Sequence, residues 1–158
     1  MPAVKYLFIL LISMVPIIEL RGAVPIAIGM GLNPIFAIVL CTFGNMIPVP
    51  FIYIFARKLL NWGCNKKYIS KFCNFIVKKG ESASKKLLSK KNKYGFVIAM
   101  ILFVGIPLPG TGAWTGTLAA SFLNMDMKTT SISVMIGVII AGIIMSVISV
   151  LGLHIFGL

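Results

Sequence analysis

Glu19 and Arg21 stand alone as charged residues in the first part of the chain beyond Lys5. An apolar run of 13 residues (6–18) precedes them, and no charge follows from Gly22 to Ala56. A charged side chain at membrane depth costs about 2.5–3.5 kcal/mol on insertion scales, so each needs a partner or water. Residues two apart do not stack on one helix face, yet a turn would let both point into one cavity. Glu19 has three possible roles: proton carrier, counter-charge for a cationic solute, or partner of Arg21. The guanidinium of Arg21 suits phosphate or carboxylate through its two-pronged geometry.

The second stretch able to do chemistry is Pro107-Leu108-Pro109-Gly110-Thr111-Gly112-Ala113-Trp114. Pro107 and Pro109 stop an incoming helix, while Gly110 and Gly112 permit positive φ and close backbone approach. Thr111 adds a hydroxyl and Trp114 an indole. A helix starting near Ala113 would present unsatisfied N–H groups and a positive dipole end, a favourable place for an anion. The same loop could instead serve only as a tight turn. Asn45, in Gly44-Asn45-Met46-Ile47-Pro48-Val49-Pro50, either bonds a neighbouring helix or lines a pathway, since the prolines behind it free backbone carbonyls. Gly137 and Ala141 form a small-xxx-small step for close helix packing. Asp126 and His154 read as interfacial.

Catalysis finds no support here. One His, three acids and no serine or cysteine beside a base exclude the usual hydrolytic sets. Cys41, Cys64 and Cys73 show neither disulfide nor zinc-ligand spacing. No enzyme, cofactor or metal is expected.

These residues must be positioned by elements in lipid. Apolar types make up 59% of the chain, charged types 11%, and the mean hydropathy is +1.03, more than a soluble domain of 158 residues can bury. The net charge of +12 is concentrated: twelve of the fifteen Lys and Arg lie between Arg57 and Lys93, with Glu81 the only acid among them. One basic block between uncharged blocks marks a cytoplasmic loop, and excludes a nucleic-acid site. The N-terminal apolar run lacks a small-x-small cleavage site and reads as a retained membrane segment.

The chain also repeats itself. Lys5-Tyr6-Leu7-Phe8 opens the run 6–18, and Lys93-Tyr94-Gly95-Phe96 opens a second, 94–106, of the same 13-residue length. Each is followed by a polar or glycine-rich turn, the first at Glu19-Leu20-Arg21-Gly22-Ala23-Val24-Pro25, and then by a short apolar arm and a long uncharged helix. Thirteen helical residues reach roughly 20 Å, short of the ~30 Å hydrocarbon core. The simplest reading is an all-α integral membrane protein forming one domain, 1–158. It comprises a first repeat (1–57; re-entrant hairpin 3–32, transmembrane helix 35–56), a basic loop (58–93) and a second repeat (94–158; hairpin 94–124, transmembrane helix 130–157). With the loop inside, the halves are inverted, and a binding site is expected at the midplane. Within the loop, Tyr68, Ile69, Phe72, Phe75 and Ile76 at helical spacing predict an amphipathic helix on an anionic inner leaflet.

Glu19-Leu20-Arg21-Gly22-Ala23, Gly44-Asn45-Met46, Pro48-Val49-Pro50, Lys93-Tyr94-Gly95 and the run from Ile106 to Gly116 resemble the small multidrug export proteins of bacteria and archaea. The resemblance spans nearly the whole chain. It implies an architecture distantly similar to the DedA superfamily, with two re-entrant hairpins. DedA-type roles would fall on Glu19 and Arg21, while the second half offers no charged counterpart.

The expected function is a small secondary transporter, exporting a small amphiphile with proton coupling. Its substrate or proton site would comprise Glu19, Arg21, Asn45, Pro107, Pro109, Gly110, Thr111, Gly112 and Trp114. Alternatives are a flippase for lipid-linked phosphate and a non-transporting scaffold or insertion factor. Expected partners are membrane lipid, a small-molecule or lipid-phosphate substrate, and further copies of the chain, because two spanning helices hardly enclose a pathway. The expected location is a prokaryotic plasma membrane, crossed more than once.

Overall fold

A computed structural model describes residues 2–64, 78 and 93–156. The amphipathic helix expected around residues 67–78 and the rest of the basic loop lie outside the described residues, apart from Lys78. The described residues are helical with no strand.

The chain forms α1 (Pro2–Met14), α2 (Glu19–Gly29), α3 (Pro34–Met46), α4 (Pro48–Cys64), α5 (Lys93–Gly105), α6 (Ala113–Phe122) and α7 (Met127–Phe156). Five of them have 13 residues or fewer: α1, α2, α5 and α6, with 13, 11, 13 and 10, and α3, with 13, which runs on into α4. Two stretches are long and apolar enough to cross a membrane: Pro34–Leu59, through α3 and α4, and Met127–Ile155 in α7. At Pro48 the missing N–H removes the bond to the Gly44 carbonyl, so α3 closes at Met46 and α4 begins with little change of path. Asn33 caps α3 by accepting from the Ile35 N–H at 2.9 Å.

The first turn differs from the sequence reading. The chain reverses at residues 15–18, and Glu19 already begins α2, which continues through Gly22 and Pro25. Helical bonds from the Glu19 and Gly22 N–H groups to Val15 and Ile18, at 2.8 and 2.9 Å, carry the reversal into the helix. Gly22 is a packing position: a Cβ there would stand 2.6 Å from Ile18 Cγ2. Pro25 sits within the helix because it withholds only one bond.

α1 packs against α2 and α3, α5 against α7, and α6 against α4 and α7, while α2 lies between α3 and α7. The interior mixes aliphatic side chains such as Ile9, Leu20, Val24, Val104, Val134 and Val138 with small and polar ones, among them Ala23, Ala27, Ala37, Ala113, Ala120 and Ala141 and the hydroxyl residues Ser13, Thr117, Ser121, Thr130 and Ser133. Large apolar side chains face outward on both long stretches, among them Phe43, Phe51, Phe55, Ile143 and Leu151. An apolar exterior suits lipid as solvent, where close backbone contact rather than the hydrophobic effect holds helices together. Gly137 shows the closeness. A Cβ there would meet Val104 Cβ at 2.7 Å and the Ile101 carbonyl at 2.9 Å.

Candidate functional site

The turn at 15–18 and the loop at 106–112 meet, and each supplies what the other's helix ends lack. α1 ends at Met14 with an unsatisfied carbonyl, and the Trp114 indole Nε1 donates to it at 3.1 Å. α5 ends at Gly105, and Arg21 closes that end. Its guanidinium donates to Val104 O at 3.3 Å, to Ile106 O at 3.2 Å and to Leu108 O. It also donates to Thr111 Oγ1 at 2.7 Å. A cation at a helix C-terminus answers the negative end of the dipole. The Thr111 hydroxyl lies 2.9 Å from the carbonyls of both Ile106 and Leu108, so it ties the same loop to itself.

Glu19 serves the opposite end. α6 starts at Ala113 with no side-chain cap from Gly112. Instead Glu19 Oε1 accepts from the Trp114 N–H at 3.2 Å. The Glu19 carboxyl group thus stands at a helix N-terminus, a place that favours negative charge. Gly112 makes room for it: its φ of 146° is one that side chains rarely adopt, and a Cβ there would collide with the Glu19 carboxylate. Glu19 itself takes φ 48°, a left-handed conformation costing roughly 1–2 kcal/mol in a non-glycine residue. Such strain survives only where the surroundings over-determine it, and it collects at working sites.

Among the described residues no direct ion pair joins Glu19 to Arg21. Each is spent on a helix end of the second half. Glu19 is 6% exposed and Arg21 part-buried. Between them and α3 lies a cavity of about 10 Å³, room for about one water. Glu19, Leu20, Arg21, Asn45, Gly112 and Ala113 line it, with Val104, Val138 and Ala141 closing it from α5 and α7. Asn45 is 2% exposed, and its Oδ1 has no hydrogen-bond partner.

Of the residues singled out in the sequence, Glu19, Arg21, Asn45, Thr111, Gly112 and Trp114 are therefore brought together. Pro107 and Pro109 flank Leu108, whose carbonyl Arg21 takes. Pro109 and Gly110 stand at the exposed side of the loop, Gly110 with φ 83° and open space around it. Sequence reasoning passed over the carbonyls of Met14 and Val104 as acceptors, and over Val138 as a wall. The small step at Gly137 and Ala141 was the signal that α7 comes close here.

Residues 19–144 match the model of the family described as "Putative small multi-drug export protein". The chain belongs to this family. No curated protein and no solved structure is found to match it. The matched segment contains Glu19, Arg21, the loop at 106–112 and Trp114, while Met14 and the turn at 15–18 precede it. A family described by export, two long apolar helices and an apolar exterior together make this chain a membrane protein of an export family.

Proposed function

We propose that the protein is a secondary transporter coupling proton movement to export of a small amphiphile, with Glu19 as the proton site. The observation that carries this reading is the Glu19 carboxylate capping α6 across the tips, at the Trp114 N–H. A charged carboxylate makes the stronger bond and answers the helix dipole. A proton on Glu19 removes that charge, weakens the tie between the halves and leaves the N-terminus of α6 open to an anionic group of the substrate. Arg21 and the backbone of residues 110–114 would hold that group once Arg21 leaves its carbonyls.

The reading places α1–α2 and α5–α6 as re-entrant hairpins of an inverted repeat. Short helices that cannot span and tips that cap one another support it. Irregular backbone at depth is tolerable when shielded by protein in this way. The basic segment then lies on the cytoplasmic side of a prokaryotic plasma membrane, and two or more copies assemble.

The test is flux in proteoliposomes carrying a pH gradient, with fluorescent amphiphiles of either charge. Glu19→Gln is expected to abolish proton-dependent flux while the protein stays folded. Undiminished flux in that variant would sink the assignment. The placing of an anion site beside Arg21 also favours a flippase for lipid-linked phosphate. In that case Arg21→Ala loses head-group binding, and cationic amphiphiles do not compete.

A further inference from the structure

Asn45 Oδ1 is a buried acceptor with no donor, on the wall of the cavity that Glu19 also lines. A buried polar atom left unpaired costs about 1–3 kcal/mol, so it calls for an occupant. The cavity limits that occupant. About 10 Å³ admits one molecule the size of water and excludes an amphiphile. Its polar lining is the Glu19 carboxyl, the Asn45 amide and the Arg21 guanidinium; Arg21 donates to the loop, so Asn45 Oδ1 is left in want of a donor.

From this juxtaposition we propose that Asn45 and Glu19 together bind the coupling proton, carried on one water, beside the place where Arg21 and residues 110–114 would hold the substrate. The proton adds to a Glu19 carboxylate oxygen, forming O–H and releasing water from hydronium. Asn45 Oδ1 then accepts from that O–H, directly or through the water left behind. The inference rests on the proton-coupled reading and gives it a second residue.

Position supports the pairing. Gly44, just before Asn45, lets α1 approach closely: a Cβ there would stand 2.8 Å from the Leu10 carbonyl and collide with the Ser13 hydroxyl. Asn45 is thereby fixed at the level of the reversal at 15–18. The charged group nearest Glu19 is Arg21, on its own helix. Facing the cavity are Asn45 from α3, Val104 from α5, Ala113 from the start of α6, and Val138 and Ala141 from α7, and none of these titrates. The proton therefore has Glu19 as its base and Asn45 as the acceptor that holds it.

Infrared difference spectroscopy on the full protein in liposomes tests this through the carboxyl C=O band that appears on acidification and vanishes in Glu19→Gln. Asn45→Leu is expected to shift the frequency of that band and to weaken proton binding about tenfold, the worth of one hydrogen bond. A sodium jump at constant pH is expected to change nothing. If Asn45→Leu folds and leaves the band and its pH range untouched, the inference falls while the role of Glu19 stands. A response to sodium instead of protons also overturns it. Loss of the Glu19 dependence itself would instead overturn the underlying reading.

Discussion

The Glu19 carboxylate occupies the space in which a side chain at Gly112 would stand. Glu19 comes from the first short helix pair and Gly112 from the loop of the second, so one atom's worth of room at Gly112 decides whether the halves can lock.

Gly112→Ala is accordingly expected to destabilise by about 2 kcal/mol or more, combining a strained φ with a collision. Gly110→Ala has a positive φ but open space, and should cost only about 1 kcal/mol. Thermal unfolding in detergent, followed by tryptophan emission, ranks the two. Only Gly112→Ala should also abolish proton-dependent flux.

Arg21 and Thr111 form one unit. Arg21→Lys keeps the charge but loses the fork that reaches three carbonyls and the hydroxyl, at a cost of about 2–3 kcal/mol. Thr111→Val should cost about 1 kcal/mol. The double variant should cost less than the sum, because both act on the same loop end. Strict additivity in a double-mutant cycle would show that the 2.7 Å contact between them is incidental.

At the far end of α6 the Tyr53 hydroxyl donates to the Met125 carbonyl, and Ser121 Oγ donates to the Tyr53 carbonyl at 3.3 Å. Tyr53→Phe should therefore lose about 1 kcal/mol of stability. It should leave the pH dependence of transport unchanged, since Glu19 lies on the other side of α6. A changed pH profile would show that the two ends of α6 move together.

Two further glycines make opposite predictions. Gly137→Ala drives a methyl group into Val104 and the Ile101 carbonyl, and should cost about 1–3 kcal/mol by overpacking. Gly95→Ala meets nothing within 4 Å in helix α5 and should gain about 0.5–1 kcal/mol. Unfolding midpoints of both variants check the pair.

Much of this arrangement is legible in the residues. The apolar runs, the proline and glycine breaks and the isolated Glu19 and Arg21 are local patterns, and local patterns survive into helices. The start of α2 was misread because Glu-Leu-Arg-Gly looks like a turn. In the structure the Glu19 and Gly22 N–H groups bond back to the Val15 and Ile18 carbonyls, and the helix already starts at Glu19. The reciprocal capping was not legible at all. Which carbonyl Arg21 meets depends on how α2 sits between α3 and α7, and nothing within ninety residues of Arg21 signals Thr111 as its partner.

The central claim is that a proton on Glu19 loosens the tie between the tips. A single cysteine at Leu108, an exposed position in the loop, would report it in a chain whose Cys41, Cys64 and Cys73 are replaced. Its reaction rate with an impermeant thiol reagent would be measured in membranes at neutral and acid pH, scaled to a free thiol. The account predicts faster labelling on acidification when Glu19 is present, and fast, pH-independent labelling in Glu19→Gln. Equal rates at both pH values with Glu19 present, or a pH response that persists in Glu19→Gln, would contradict it.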